Sequence, residues 1–258
     1  MKNRFNILLA IASLALAALA CQAVTGGGQD APPTEDVNFE ATSEPVEEIE
    51  NTATPIPDQP EEPEPNSNSD VLFEDDFSGG RTQWGTGTDA DSSVEYLDEK
   101  LNVQLFTGNY MVWTYPDDST YENIHMEVTV VNNGTDANTA FGFFCYKQYP
   151  IDDSRYYFAI TPNGEYAIAK AALALDDEIL TNNGEWAKSD LIAKNAASYR
   201  IGADCANGTL TLYVDGQQVD SVSDTTYTTG GISLFVWSDE EVSTVNVSFD
   251  DFLMTELP

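Results

Sequence analysis

From Val71 to Pro258 the chain keeps a two-residue rhythm, and that is the period of a strand with one face buried. In Ile232-Ser233-Leu234-Phe235-Val236-Trp237, residues Ile232, Leu234 and Val236 share one side, while Ser233, Phe235 and Trp237 share the other. Tyr199, Ile201, Ala203 and Cys205 likewise fall on a single face. Short stretches of this kind, rich in Val, Ile, Phe, Tyr and Thr and separated by Gly, Asn and Asp, predict an all-β, two-sheet antiparallel sandwich over residues 71–258. Two hairpins are signalled. Tyr156–Ile160 and Glu165–Ala169 flank Asn163-Gly164, and Thr209–Val214 runs through Asp215-Gly216 to Gln218-Val219. Both dipeptides suit the positive φ angles of a type I′ turn. Glu165–Leu180, where Ala is frequent, rivals as a helix, but its alternating start predicts strand.

Charge narrows the partners. The chain holds 44 Asp or Glu against 10 Lys or Arg, a formal charge of −34. An acidic surface repels nucleic acid instead of releasing its counterions, and it does not dock directly on an anionic membrane. Such acidity also fits a solubility or high-salt adaptation. Apolar residues make up 41% of the chain, enough for a core in a domain of this size.

At the amino terminus Lys2 and Arg4 precede an apolar run from Phe5 to Ala20, broken only by Asn6 and Ser13. This is the charged and apolar order of an export signal, over residues 1–20. It falls short of the roughly 20 apolar residues of a comfortable membrane span. Ala18-Leu19-Ala20-Cys21 resembles the lipobox of bacterial lipoproteins, in which cleavage precedes a Cys whose sulfur carries diacylglycerol. That family prefers Leu where this chain has Ala18. The resemblance implies a lipidated Cys21 that anchors the chain without spanning; an ordinary secretory signal is the alternative. With three Cys in an exported chain, one is left over after pairing, and lipid on Cys21 accounts for it. Residues 22–70 then carry 13 Asp or Glu, no Lys or Arg, and many Pro, Ser and Thr, so apolar side chains are too sparse to offset the entropy of ordering. A disordered acidic spacer is predicted, with an acidic tail for a basic partner as the other reading.

Three motifs in order carry a second resemblance. Val71-Leu72-Phe73-Glu74-Asp75-Asp76-Phe77-Ser78, Thr209-Leu210-Thr211-Leu212-Tyr213-Val214-Asp215-Gly216-Gln217 and Val247-Ser248-Phe249-Asp250-Asp251-Phe252-Leu253 resemble concanavalin A-like lectin/glucanase domains, nearest to laminin-G-like and 3-keto-disaccharide hydrolase-like modules of bacterial lipoproteins. The resemblance implies a jelly roll whose first and last strands lie side by side and whose concave sheet often binds carbohydrate.

Candidate chemistry is sparse. An oxidising compartment makes a Cys145–Cys205 disulfide the default; two buried thiols or a metal pair compete, the latter poorly because neither Cys has a nearby His or second Cys. Its loop would restrain the unfolded chain by about 4 kcal/mol in the entropic account. The Glu-x-Asp-x-x-Glu strand of the glucanases of this fold is missing after Val71, as are a Gly-x-Ser-x-Gly elbow and a His-Glu-x-x-His zinc motif. No catalytic residues are assigned, and His125 reads as an ordinary strand histidine. Trp113, Tyr115, Phe144, Tyr146, Tyr157, Phe235 and Trp237 all fall on the strand side away from the inferred core. Rings there would stack on sugar faces; the alternative is that they pack under loops or fill the second side of the sandwich. Asp76 and Asp251, with Asp75 and Asp250, invite a structural calcium ion, though paired Asp residues also arise by chance in so acidic a chain. The leading expectation is an extracytoplasmic, membrane-anchored lipoprotein with a non-catalytic carbohydrate-binding or surface-interaction module. A glycoside-processing hydrolase and a purely structural domain are the alternatives.

Overall fold

Alternating strands must bury one face each, and here they do so against one another. The computed structural model of the chain describes residues 71–79, 83–148, 153–240 and 245–258. The expected export signal, Cys21 and the acidic spacer lie outside the described residues. The first eight strands are β1 (Val71–Asp75), β2 (Gly87–Thr88), β3 (Ser92–Leu97), β4 (Lys100–Leu105), β5 (Met111–Thr114), β6 (Ile124–Asn132), β7 (Ala140–Lys147) and β8 (Arg155–Ile160). There follow β9 (Glu165–Ala171), β10 (Glu178–Ile179), β11 (Ala187–Lys188), β12 (Ser198–Ala206), β13 (Thr209–Val214), β14 (Gln217–Ser223), β15 (Gly231–Trp237) and β16 (Val245–Glu256). No helix occurs among the described residues.

Nine strands form one antiparallel sheet in the order β14-β13-β12-β6-β16-β4-β3-β2, with β1 on β16, and seven form the other in the order β10-β9-β8-β7-β15-β5, with β11 on β9. The first strand therefore does pair with the last, Asp75 against Phe252. The core takes one face from each sheet. Met126, Val128, Ile201, Leu212 and Phe249 come from the larger, and Phe141, Phe143, Phe158, Ile168 and Leu234 from the smaller. Burying such a side chain contributes about 1.5–3 kcal/mol. The expected Cys145–Cys205 disulfide is present, and it joins β7 to β12 across the two facing sheets instead of linking neighbours within one.

Turn chemistry explains one departure. Asp215 and Gly216 both have positive φ, as a type I′ turn requires. At the other hairpin only Gly164 does, and its N–H donates to Thr161 O (3.0 Å). Pro162 fixes a negative φ at the first turn position, so the loop is a type I turn closed by a left-handed glycine.

On the outer face of the nine-stranded sheet His125 meets Asp204 through Nδ1 (2.5 Å) and Glu127 through Nε2 (3.3 Å). Tyr213 Oη donates to the other Asp204 oxygen (2.7 Å), and Arg200 Nη2 donates to Glu127 (3.1 Å). Burial pulls the imidazole down, but the hydrogen bonds and charges of Asp204 and Glu127 outweigh it and push His125 from 6.5 up to about 9. A folded value above the unfolded one means stabilisation that is whole below the unfolded value and is lost as pH rises through the folded one. Melting temperature followed by circular dichroism is therefore expected to fall between about pH 6.5 and about 9, and His125→Asn to flatten that slope.

Candidate functional site

Register on the seven-stranded sheet sets rows of side chains across its outer face. One row runs Met111, Trp237, Ala140; the next runs Trp113, Phe235, Gly142, Ala159, Ala167; a third runs Ser233, Phe144, Tyr157, Ala169. Aromatic residues gather toward β15, and small ones occupy β7 and β8 beside them. Gly142 has a steric reason: a Cβ there would lie 1.9 Å from Phe158 O on the neighbouring strand. Phe144 and Phe235 stack at 4.8 Å, Tyr157 meets Phe235 edge-on at 6.1 Å, and with Ala140, Ala159, Ala169 and Ala171 they form a second apolar cluster apart from the core.

Small residues between large ones leave a hollow. Ala140 and Ala159 floor an open depression of about 520 Å³, walled by Met111, Tyr157, Phe235, Trp237 and Trp186. Polar groups stand round it. Asn138 Nδ2 donates to Asp239 Oδ2 (3.0 Å), Glu165 pairs with Lys188 (3.2 Å), and Asp177 lies beside Tyr157. Burial, reinforced by the Asp177 carboxylate, holds the Tyr157 phenol far above its usual range. It remains a neutral hydrogen-bond donor at physiological pH. Apolar ring faces with acceptors at the margin match the amphipathic surface of a sugar.

The expected aromatic row divides. Tyr157, Phe235 and Trp237 line the depression, and Phe144 lies fully buried beside Tyr157 and Phe235. Trp113, 39% exposed, and Tyr115 instead line a separate hollow with Gly85 and Tyr110. Tyr146 contradicts its expected side. It has a φ of 53°, the β7–β15 register shifts between Gly231 and Ser233, and its ring packs in the main core with Oη donating to Cys205 O (2.6 Å). A bulge inserts one residue and turns the next side chain to the other face. Trp186 escapes the sequence pattern because it lies between the two-residue strands β10 and β11, where no alternation assigns a side.

The aspartates at the chain ends have different partners. Asp75 accepts from Phe77 N (2.8 Å) and Trp84 Nε1 (3.2 Å), Asp76 accepts from Ser78 N (3.0 Å), Asp250 pairs with Lys100, and Arg200 Nη1 donates to Asp251 O (2.6 Å). Asp76 and Asp251 do line one surface hollow, but Arg200 shares it. Among the described residues no group of three or more His, Cys, Asp or Glu is placed to hold a metal ion.

No protein-family model matches the chain, and no curated protein matches it in sequence. Solved structures do. The chain is similar to the carbohydrate-binding module CBM66 from Bacillus subtilis at 15% identity, covering 68% of this chain and 96% of that one with a TM-score of 0.52. It is similar to the Bacillus licheniformis β-glucanase at 14% identity, covering 74% and 100% with a TM-score of 0.51. A κ-carrageenase from Pseudoalteromonas carrageenovora, in complex with an oligotetrasaccharide of κ-carrageenan, aligns at 12% identity over 76% and 98% with a TM-score of 0.50. The fold is a concanavalin A-like jelly roll. At such identities the likeness establishes architecture alone.

The bulge itself can be tested. A Cβ on Gly230 would fall 2.5 to 2.7 Å from the backbone of Tyr146. Gly230→Ala is expected to cost about 1–3 kcal/mol by overpacking, read as an earlier urea midpoint with unchanged slope. An unchanged midpoint would show that the bulge yields freely.

Proposed function

We propose that the jelly roll binds carbohydrate at the outer-face depression without cleaving it. The observation that carries this reading is the pairing of aromatic walls, Trp237, Phe235 and Trp186, with an alanine floor and a polar margin. The solved structures it resembles include a carbohydrate-binding module and glycan-processing enzymes, which supports the same class of ligand. The reading extends to an extracytoplasmic setting, in keeping with the disulfide. There the chain is held by lipid on Cys21, with residues 22–70 as spacer and residues 71–258 as the binding domain.

Glycan-array screening of the full chain is expected to give hits, and calorimetry with the best of them to show about tenfold weaker binding in Trp237→Ala. Absence of any hit sinks the reading. A hydrolase is favoured by one observation, the three carboxylates Glu165, Asp177 and Asp239 at the depression. Release of reducing sugar by the wild-type chain, lost in Glu165→Gln or Asp177→Asn, would put that reading in its place. The anchor has its own test. Metabolic labelling with palmitate in a bacterial host should mark the wild-type chain and spare Cys21→Ser, which should leave the membrane fraction.

A further inference from the structure

Beside the depression, on the same face, sits a cation of unusual placement. Arg155 is 6% exposed in a chain of net charge −34, and its guanidinium carbon lies over Phe144, 4.2 Å from the ring centroid. Its Nη1 is engaged by Asp153, at 2.5 Å to the carbonyl oxygen and 2.9 Å to Oδ2. The opposite edge is not. Among the described residues Nη2 meets the thioether of Met111 at 3.9 Å, and Nε has no hydrogen-bond partner. That edge, Nε with Nη2, is one of the two forks by which arginine grips an oxyanion with two parallel hydrogen bonds.

A second orphan lies on the same face. Ser233 Oγ is fully buried without a partner, and Ser233 stands directly across from Phe144 in the β15–β7 register. Buried donors left unpaired are costly, and an anionic acceptor brought to them would recover that cost. Access is built in. Met111 lines the depression and covers the open edge, and an unbranched thioether moves easily. On the other side the Trp113 ring, 39% exposed and 6.2 Å from Phe144, has Lys147 Nζ over it at 5.7 Å, and its remaining open surface can stack on the sugar that carries the anion.

Building on the carbohydrate reading, we infer that this face prefers acidic glycans, with the carboxylate or sulfate of one sugar seated on the Nε–Nη2 edge of Arg155 and its ring on Trp113. Asp153 is the internal competitor. Partial burial would raise its carboxyl, but the hydrogen bond from Lys147 and the charge of Arg155 hold it below the usual carboxylate range. It therefore remains ionised and occupies one edge of the guanidinium.

Calorimetry on the full-length chain with oligogalacturonate, a sulfated galacto-oligosaccharide and the neutral galacto-oligosaccharide tests this. At least one acidic ligand is expected to bind about tenfold or more tighter than the neutral one, and which of them does so separates carboxylate from sulfate. Arg155→Lys should erase that preference while leaving the neutral affinity in place. Asp153→Asn, at a side chain 47% exposed, should fold normally and strengthen the acidic ligand several-fold by removing its rival. Neutral binding as tight as acidic, or an acidic affinity indifferent to Asp153→Asn, overturns the inference and leaves the carbohydrate reading standing. No binding by any of the three, together with an empty glycan array, fells both.

Discussion

The structure depends on one sheet being apolar on both sides. β7, β8 and β15 give one face to the sandwich core and the other to the Phe144–Tyr157–Phe235 cluster, so their residues are buried almost without interruption. In an ordinary two-layer sandwich the outer face alternates to polar residues and meets water. Here it carries rings, and rings cannot cover a sheet evenly when small residues lie between them. The hollow over Ala140 and Ala159 follows from that unevenness. The depression is thus a packing consequence of the same strands that build the core.

Much of this is legible in the sequence, and the reasons are particular. Alternation assigns Ile232, Leu234 and Val236 to the core and Phe235 and Trp237 to the other face, and the contacts agree. The same alternation fails at Tyr146, because a bulge is specified by how β7 meets β15 and by the close approach of Gly230, neither of which is written in local sequence. Asn163-Gly164 promises a tight turn, and Pro162 one position earlier alters it. Cys145 and Cys205 can be paired on grounds of compartment, yet only the stacking of the sheets shows that they face each other across the core. Arg155 carries no signal at all, since its significance lies in which of its nitrogens is occupied.

Scarce cations are deployed with economy. Arg200 reaches Glu127, Thr129 and the Asp251 carbonyl, drawing β6, β12 and the bulged stretch of β16 together. Lys170 pairs with Glu178 at 3.1 Å and Asp224 at 2.8 Å, and Lys100 with Asp250. Partly buried ion pairs are screened less than exposed ones, so they keep strands in register within a field that is otherwise repulsive. His125 extends the pattern by behaving as a further cation between two acids.

The junction of the chain ends has a mechanical corollary. Among the described residues β1 pairs with β16 alone, through Val71 to Asp75, and it is where any pull arriving from upstream of Val71 enters the sandwich. Phe73 of this strand and Phe77 just beyond it pack against Trp84, and Phe252 of β16 meets both Phe73 and Trp84. Under load the antiparallel ladder would open rung by rung, and the aromatic wedge would be the detent that stops the zipper before the sheet itself is breached.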